Sequence, residues 1–247
     1  MKIDKDNIQN WDKAAGKYSV FLQKGKNKYV NVYLSAIDEL LDNVSGKRIL
    51  DAGCGEGYYS RKLVLKKAIV TGIDGSKKMI AMAKSRNPEI KVDYKLMDLT
   101  QKLDFKNGHF DIVLASMVLI SISKINVVIA EFARILKKNG CLIFSITHPC
   151  FFSSDWVLDE KGVKLYKPIF DYLYERVEKL NFWGKTSHYH RPLSYYFNIL
   201  ENNSFCVTSL KEPVFSDRLL KKRSGEESYK RTPLFIIIKA VVSTGKY

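Results

Sequence analysis

Ile49-Leu50-Asp51-Ala52-Gly53-Cys54-Gly55-Glu56-Gly57-Tyr58 decides how this chain folds. An apolar run ends in Asp51, alternating glycines follow at once, and a helical pattern begins, so the stretch reads as strand, tight loop and helix. Towards the C-terminus the same alternation repeats. Ala68 to Asp74 reads as a second strand, Ser76 to Ser85 as a helix, Ile90 to Tyr94 as a short third strand and Phe110 to Ala115 as a buried fourth. Lys124 to Leu136 then reads as a helix stopped by Asn139-Gly140, before a fifth strand at Cys141 to Ile146. Strands separated by helices imply a parallel sheet. Towards the N-terminus lie two helices, residues 5–22, with Ile8, Trp11, Ala14, Ala15 and Tyr18 at helical spacing, and Val30 to Leu41. Beyond Ile146 the alternation lapses, resuming at Pro192 with a helix to Asn202 and strands at Phe205 to Leu210 and Leu234 to Val242. The basic stretch 218–231 reads as an exposed loop between those strands.

The fold class is therefore α/β, with a Rossmann-like, mostly parallel sheet. A single domain is expected over residues 1–247, with lid helices in 1–45 and an insertion at 147–190 that caps the substrate. The chain is 46% apolar and 27% charged, as in soluble globular proteins, and its most apolar run is interrupted by Lys239, so no membrane span is expected. Met1 to Asp6 carries early acids without an apolar stretch behind, unlike a signal peptide, and a cytoplasmic protein, monomeric or homodimeric, is expected. Cys54, Cys141, Cys150 and Cys206 are too dispersed for a disulfide frame or a zinc site, and no metal is expected. A net charge of +15 raises the question of a polyanionic partner. Lysine outnumbers arginine and is scattered in ones and twos, whereas nucleic-acid readers favour arginine, so the charge reads as a solvated surface.

The loop's acids indicate what it binds. Glycines at a strand's end let a ligand approach the backbone and the N-H groups of the following helix. Asp51 and Glu56 would repel a dinucleotide's pyrophosphate but attract a cofactor with an ammonium and a sulfonium, which favours S-adenosylmethionine over NAD. Asp74, at the tip of the second strand, can accept hydrogen bonds from both hydroxyls of a ribose, while Ser76 suits a helix cap. Asp98-Leu99, after the third strand, can serve an adenine with an acceptor and a backbone N-H.

Together, Leu50 to Gly57, Gly72-Ile73-Asp74-Gly75-Ser76 with Met79, Asp98-Leu99, Phe110-Asp111-Ile112-Val113 and Leu136 to Cys141 resemble the class I S-adenosylmethionine-dependent methyltransferases over about residues 45–148. The resemblance implies a seven-stranded sheet with only the last strand antiparallel. It places Gly53, Gly55 and Gly57 on the methionine part of the cofactor, Asp74 on the ribose, Met79 and Leu99 on the adenine faces and Asp98 on its amino group. Asp51, Cys54, Gly75 and Ser76 complete that lining, and Ser116 and Met117 would lie near the sulfonium. Trp11-Asp12-Lys13-Ala14-Ala15 with Tyr18 resembles the lid helix of the small-molecule branch, whose tyrosine reaches the cofactor carboxylate. Gly75 departs from relatives that carry a larger residue there.

The acceptor is less defined. Ser116-Met117-Val118-Leu119 stands where amino-group methylases of nucleic acids carry an Asn/Asp-Pro-Pro-aromatic turn, so a small-molecule acceptor is expected, methylated on N, O or C. His148 and His188 are candidate general bases, and Trp11, His148, Trp183, Tyr189, His190 and Arg191 are candidate substrate contacts; structural packing is the other reading of each histidine. The aromatics of residues 147–190 are too many for a solvated loop and are expected to bury against the core or a ligand. An RNA methyltransferase and a non-catalytic cofactor-binding regulator stand as alternatives.

Overall fold

The alternation that begins at Arg48 builds a seven-stranded sheet whose two faces carry separate cores. The computed structural model describes residues 2–23, 27–181, 184–216 and 227–243. Helices α1 (Lys2–Gln23) and α2 (Lys28–Leu41) precede β1 (Arg48–Ala52), α3 (Tyr58–Leu65), β2 (Ile69–Asp74), α4 (Lys77–Ser85), β3 (Asp93–Leu96) and β4 (Phe110–Ser116). A 3-10 turn (Leu119–Ser121) leads to α5 (Ile125–Ile135) and β5 (Leu136–Thr147). Four short strands follow, β6 (Val157–Leu158), β7 (Lys164–Tyr166), β8 (Arg176–Leu180) and β9 (Thr186–His190), then α6 (Leu193–Asn202), β10 (Phe205–Lys211) and β11 (Phe235–Val242).

The strand order is β10-β11-β5-β4-β1-β2-β3. Pairing is parallel from β3 through β5, and β11 runs antiparallel to both β5 and β10. This is the sheet implied by the sequence. Side chains alternate across it with period two: Leu50, Val113 and Ala115 pack with α5 and α6, while Ile49, Ile112 and Leu114 pack with α2 and α3. The chain leaves β1 and β4 in opposite directions across the sheet, so a crevice opens beyond their C-terminal ends.

Several boundaries differ from the reading. The third strand lies at Asp93–Leu96, where it pairs with Thr71 to Asp74, instead of ending at Tyr94. Helix α5 stops before Asn139-Gly140, because Leu136 already pairs with Phe110; Asn139, at φ 61°, turns the chain inside β5 before Cys141 pairs with Ile112. Ser76 caps α4, its Oγ accepting the Met79 N-H at 3.1 Å. Of the basic stretch 218–231, residues 218–226 lie outside the described residues, and Glu227–Lys230 forms a 3-10 turn.

The insertion holds two antiparallel ribbons, β6–β7 and β8–β9. Strand β9 is buried throughout, but Tyr166, Phe170 and Tyr174 are 58%, 70% and 71% exposed, so the expectation that the segment's aromatics bury fails for these rings. Tyr166 ends β7, on a ribbon with one face turned to solvent, and Phe170 and Tyr174 lie in the link between β7 and β8, which belongs to neither ribbon. Among the described residues no helix is long and apolar enough to cross a membrane.

Candidate functional site

The glycine loop is built by steric exclusion. Gly53 has φ 76°, and a Cβ there would lie 2.4 Å from Val118 Cγ2; at Gly57, also φ 76°, it would meet the Tyr94 hydroxyl at 2.1 Å. Only glycine fits either place. The Gly53 and Cys54 N-H groups both donate to Ile73 O, at 2.8 and 2.9 Å, which fastens the loop to the end of β2. Asp74 ties the two strand ends together, since its Oδ2 accepts the Gly55 N-H at 2.9 Å and its Oδ1 the Ser76 N-H at 2.8 Å. Beneath the loop, Ser60 Oγ donates to Asp51 Oδ2 at 2.5 Å. Met117 sits at φ 55° at the end of β4, held by an N-H that donates to Ser145 O at 3.0 Å; such strain is common at ligand sites.

A cleft of about 1110 Å³, open mouth included, lies over these strand ends. Asp51, Gly53, Cys54, Gly55, Asp74, Gly75, Ser76, Met79, Asp98, Leu99, Ser116 and Met117 line it, and Tyr18 and Trp11 close it from α1. Gly57 is not in contact with the cleft; it starts α3. The lining also includes residues not named as site residues from the sequence, chiefly Asp4, Asn7, Ile8, Tyr33, Val118 and Ser121. Ile8 belongs to the stripe of Trp11 and Tyr18, and extending that stripe towards the N-terminus reaches Asp4 and Asn7.

Burial sets the electrostatics. It pushes the Asp51 carboxyl up to about 6, with the nearby Asp74 adding to the effect, and raises Asp74 as well. Burial, then Asp74 and Asp51, pushes the Tyr18 hydroxyl up to about 12, so it stays a proton donor. Glu56 departs from the expectation that it acts with Asp51 on a ligand. Its buried carboxylate pairs with Arg86 and lies 3.8 Å from Arg61, which neutralises it behind the loop. Besides Asp4 on α1, the acids left to the cleft sit at successive strand ends, Asp51, Asp74 and Asp98. S-adenosylmethionine fits this arrangement: the buried Asp51 and the half-buried Asp74 and Asp98, lacking an ion-pair partner among the described residues, suit a cationic group, the glycines admit it to the backbone, and Met79 and Leu99 provide apolar walls.

The second group of candidates lies elsewhere. His148, His188, Tyr189, His190 and Arg191 line a separate cavity of about 210 Å³ behind the β5 end and share no lining residue with the large cleft. His148 Nε2 pairs with Glu212 at 2.8 Å, His188 Nε2 with Thr147 Oγ1 at 2.8 Å, and His190 Nε2 with Tyr172 O at 2.9 Å. Burial holds His148 below the usual histidine range and His188 down to about 4. The guanidinium of Arg191 donates to three backbone carbonyls, those of Leu119, Ile122 and Ser123. Trp183 lies outside the described residues.

Comparison with known proteins gives a match to a methyltransferase domain family over residues 50–144. The chain is 34% identical over 114 residues to a malonyl-[acyl-carrier protein] O-methyltransferase of Legionella pneumophila, covering 43% of this chain and 38% of that protein. It is 32% identical over 114 residues to a ubiquinone biosynthesis O-methyltransferase of Bordetella avium, covering 45% of this chain and 47% of that protein. The matches thus span less than half the length of these curated relatives. A crystal structure of an S-adenosylmethionine dependent methyltransferase from Mesorhizobium loti superimposes with a TM-score of 0.75 at 27% identity, over 84% of this chain and 96% of that one.

Proposed function

The chain belongs to the class I S-adenosylmethionine-dependent methyltransferases, and from that premise we propose that it transfers a methyl group to a small-molecule acceptor held beside the cofactor in the large cleft. One observation carries the reading: the strand-end acids and the glycine loop share one cleft with the apolar side chains of Ile8, Trp11, Val118 and Ile122. Cofactor and acceptor therefore share one space, closed by α1.

S-adenosylmethionine, when bound, supplies a methyl group on a sulfonium, displaced in line with a neutral thioether as leaving group. The chain's own part is to bind, orient and exclude water, which supplies much of the acceleration of such a displacement. In this reading Asp51 receives the ammonium, Asp74 the ribose hydroxyls and Asp98 the adenine amino group. The Tyr18 hydroxyl donates a hydrogen bond to the cofactor carboxylate. Trp11 and Ile8 shield the acceptor. His148 and His188 act on the fold instead of the acceptor, because they lie behind β5 with their Nε2 atoms engaged by Glu212 and Thr147. The relatives' names refer to oxygen methylation, so hydroxyl and carboxyl acceptors are the first to test.

Calorimetry with S-adenosylmethionine and S-adenosylhomocysteine tests the cofactor, and transfer of a labelled methyl into fractionated metabolite pools tests the acceptor. Binding of both compounds and a labelled small-molecule product are expected. Absence of heat with either compound would overturn the reading.

A further inference from the structure

Arg191 is 2% exposed, yet no carboxylate lies within hydrogen-bonding distance of it among the described residues; the nearest, Glu175, stands 3.8 Å from its Nε. Its Nη1 donates to Leu119 O at 3.3 Å, and its Nη2 to Ile122 O at 2.6 Å and Ser123 O at 2.8 Å. The rings of Tyr189 and Tyr195 flank it, their centroids 5.1 and 5.4 Å from Cζ. A buried cation solvated by carbonyl dipoles and ring faces, with its carboxylate no nearer than 3.8 Å, is a poor means of adding stability, because desolvation consumes much of the gain. What the planar fork does well is fix the relative positions of several oxygens.

The carbonyls it fixes belong to the turn that lines the large cleft through Ser121 and Ile122. The same turn receives α1. Asp4 Oδ1 accepts the Ser123 N-H at 2.8 Å and its Oδ2 the Ser123 hydroxyl at 2.5 Å. Asn7 Nδ2 donates to Ser121 O at 2.7 Å, and Asn7 Oδ1 accepts the Ser187 N-H of β9 at 2.8 Å. Lid helix, cleft wall and insertion thus meet at residues 121–123, with Arg191 on one side of the turn and Asp4 and Asn7 on the other.

We propose that Arg191 is a positioning residue: its guanidinium holds the Leu119–Ser123 backbone as the seat on which α1 closes over the cleft. The inference rests on the methyltransferase reading for its purpose, but its mechanical content stands on the hydrogen bonds alone. Arg191 acts on bound ligand only through the turn and the helix. Lysine cannot replace it, since a single ammonium lacks the fork that spans three carbonyls.

The test compares wild type with Arg191→Lys, Asn7→Ala and the double variant. Backbone amide exchange is followed in α1 and in β4 and β5 without ligand, and S-adenosylhomocysteine dissociation by stopped flow. Each single variant should speed exchange in the first two turns of α1 while leaving β4 and β5 protected, and should raise the dissociation rate about tenfold, the equivalent of one hydrogen bond to a charged group. The double variant should add little to either single one, because both break the same connection. Unchanged α1 exchange in a folded Arg191→Lys variant, or fully additive effects, would overturn the proposal. If Arg191→Lys fails to fold, Asp4→Asn with Asn7→Ala tests the other side of the turn by the same readouts. Failure of the wild type to bind S-adenosylhomocysteine would count against the methyltransferase reading, while ligand-free exchange would still decide the role of Arg191.

Discussion

Asp51 shows how one buried carboxylate couples ligand affinity to pH. Its proton is lost near pH 6 in the free protein, against an ordinary 3.8, chiefly because burial penalises the charge. Two signs follow. For stability, a carboxyl raised in the fold makes the charged form costly, so without ligand this group's contribution improves as pH falls from about 6 towards 3.8 and is lost as pH rises through about 6. For a cationic ligand the sign reverses, since the ammonium needs the carboxylate. S-adenosylmethionine affinity should hold above pH 6 and weaken by up to about tenfold per pH unit below it, as calorimetry between about pH 7.5 and about pH 5 would show. Asp51→Asn should flatten that profile, and a profile unchanged by the substitution would place the ammonium elsewhere. Asp74→Ala should weaken S-adenosylhomocysteine by about 1.5 to 3 kcal/mol, the worth of hydrogen bonds to a charged group, measurable in the same titration. Both acids are legible in the sequence because strand and loop fix where they stand. Glu56 is not, because Arg86, the partner that neutralises it, comes thirty residues later and meets it only in the folded chain.

At the level of elements, the β-α alternation is legible and the way α1 sits on it is not. Short, nearly continuous apolar runs at Ile49 to Asp51 and Phe110 to Ala115 announce buried strands regardless of their neighbours, and Gly53 and Gly57 announce a turn that a Cβ would block. Asn139-Gly140 imitates a helix stop, whereas pairing of Leu136 with Phe110 ends α5 first. Tertiary pairing outweighs a local signal there. Gly75 carries the clearest hidden message about α1. A Cβ at Gly75 would lie 3.0 Å from Ile8 Cδ1 and 3.2 Å from its Cγ1, so a larger residue here would press against the helix that covers the cleft. Gly75→Ala should therefore cost about 1 kcal/mol of packing strain, concentrated in α1, and weaken cofactor binding a fewfold. Amide exchange should quicken in α1 and remain unchanged in β2. Adding Ile8→Ala to Gly75→Ala should restore much of the loss by removing the clash; if the double variant is worse than either single one, the contact is not what glycine preserves.

Over the whole molecule, charge is divided between outside and inside. The chain carries +15, yet the ionisable groups of the cleft, among the described residues, are Asp4, Asp51, Asp74, Asp98, the Cys54 thiol and tyrosines, with no cation. A negative interior favours a cationic cofactor and would repel a phosphate backbone brought to the reacting centre. Among the described residues some outer lysines are locally paired, Lys62 and Lys66 with Asp38, Lys137 with Asp111, Lys211 with Glu39 and Lys95 with Asp93, while Arg48, Lys95, Lys106 and Lys137 gather around His109. Such a surface attracts polyanions only diffusely, through release of their counterions, and that attraction falls steeply as salt rises. Binding to an unstructured RNA, followed by fluorescence anisotropy, should therefore be measurable at about 50 mM salt and be lost by about 200 mM. S-adenosylhomocysteine should neither strengthen nor weaken it, because the two ligands occupy surfaces of opposite sign. Tight binding to one structured RNA that survives about 200 mM salt and strengthens with S-adenosylhomocysteine would reverse the conclusion. Coupling of that kind requires the RNA to reach the cleft, and the small-molecule assignment would give way to an RNA methyltransferase.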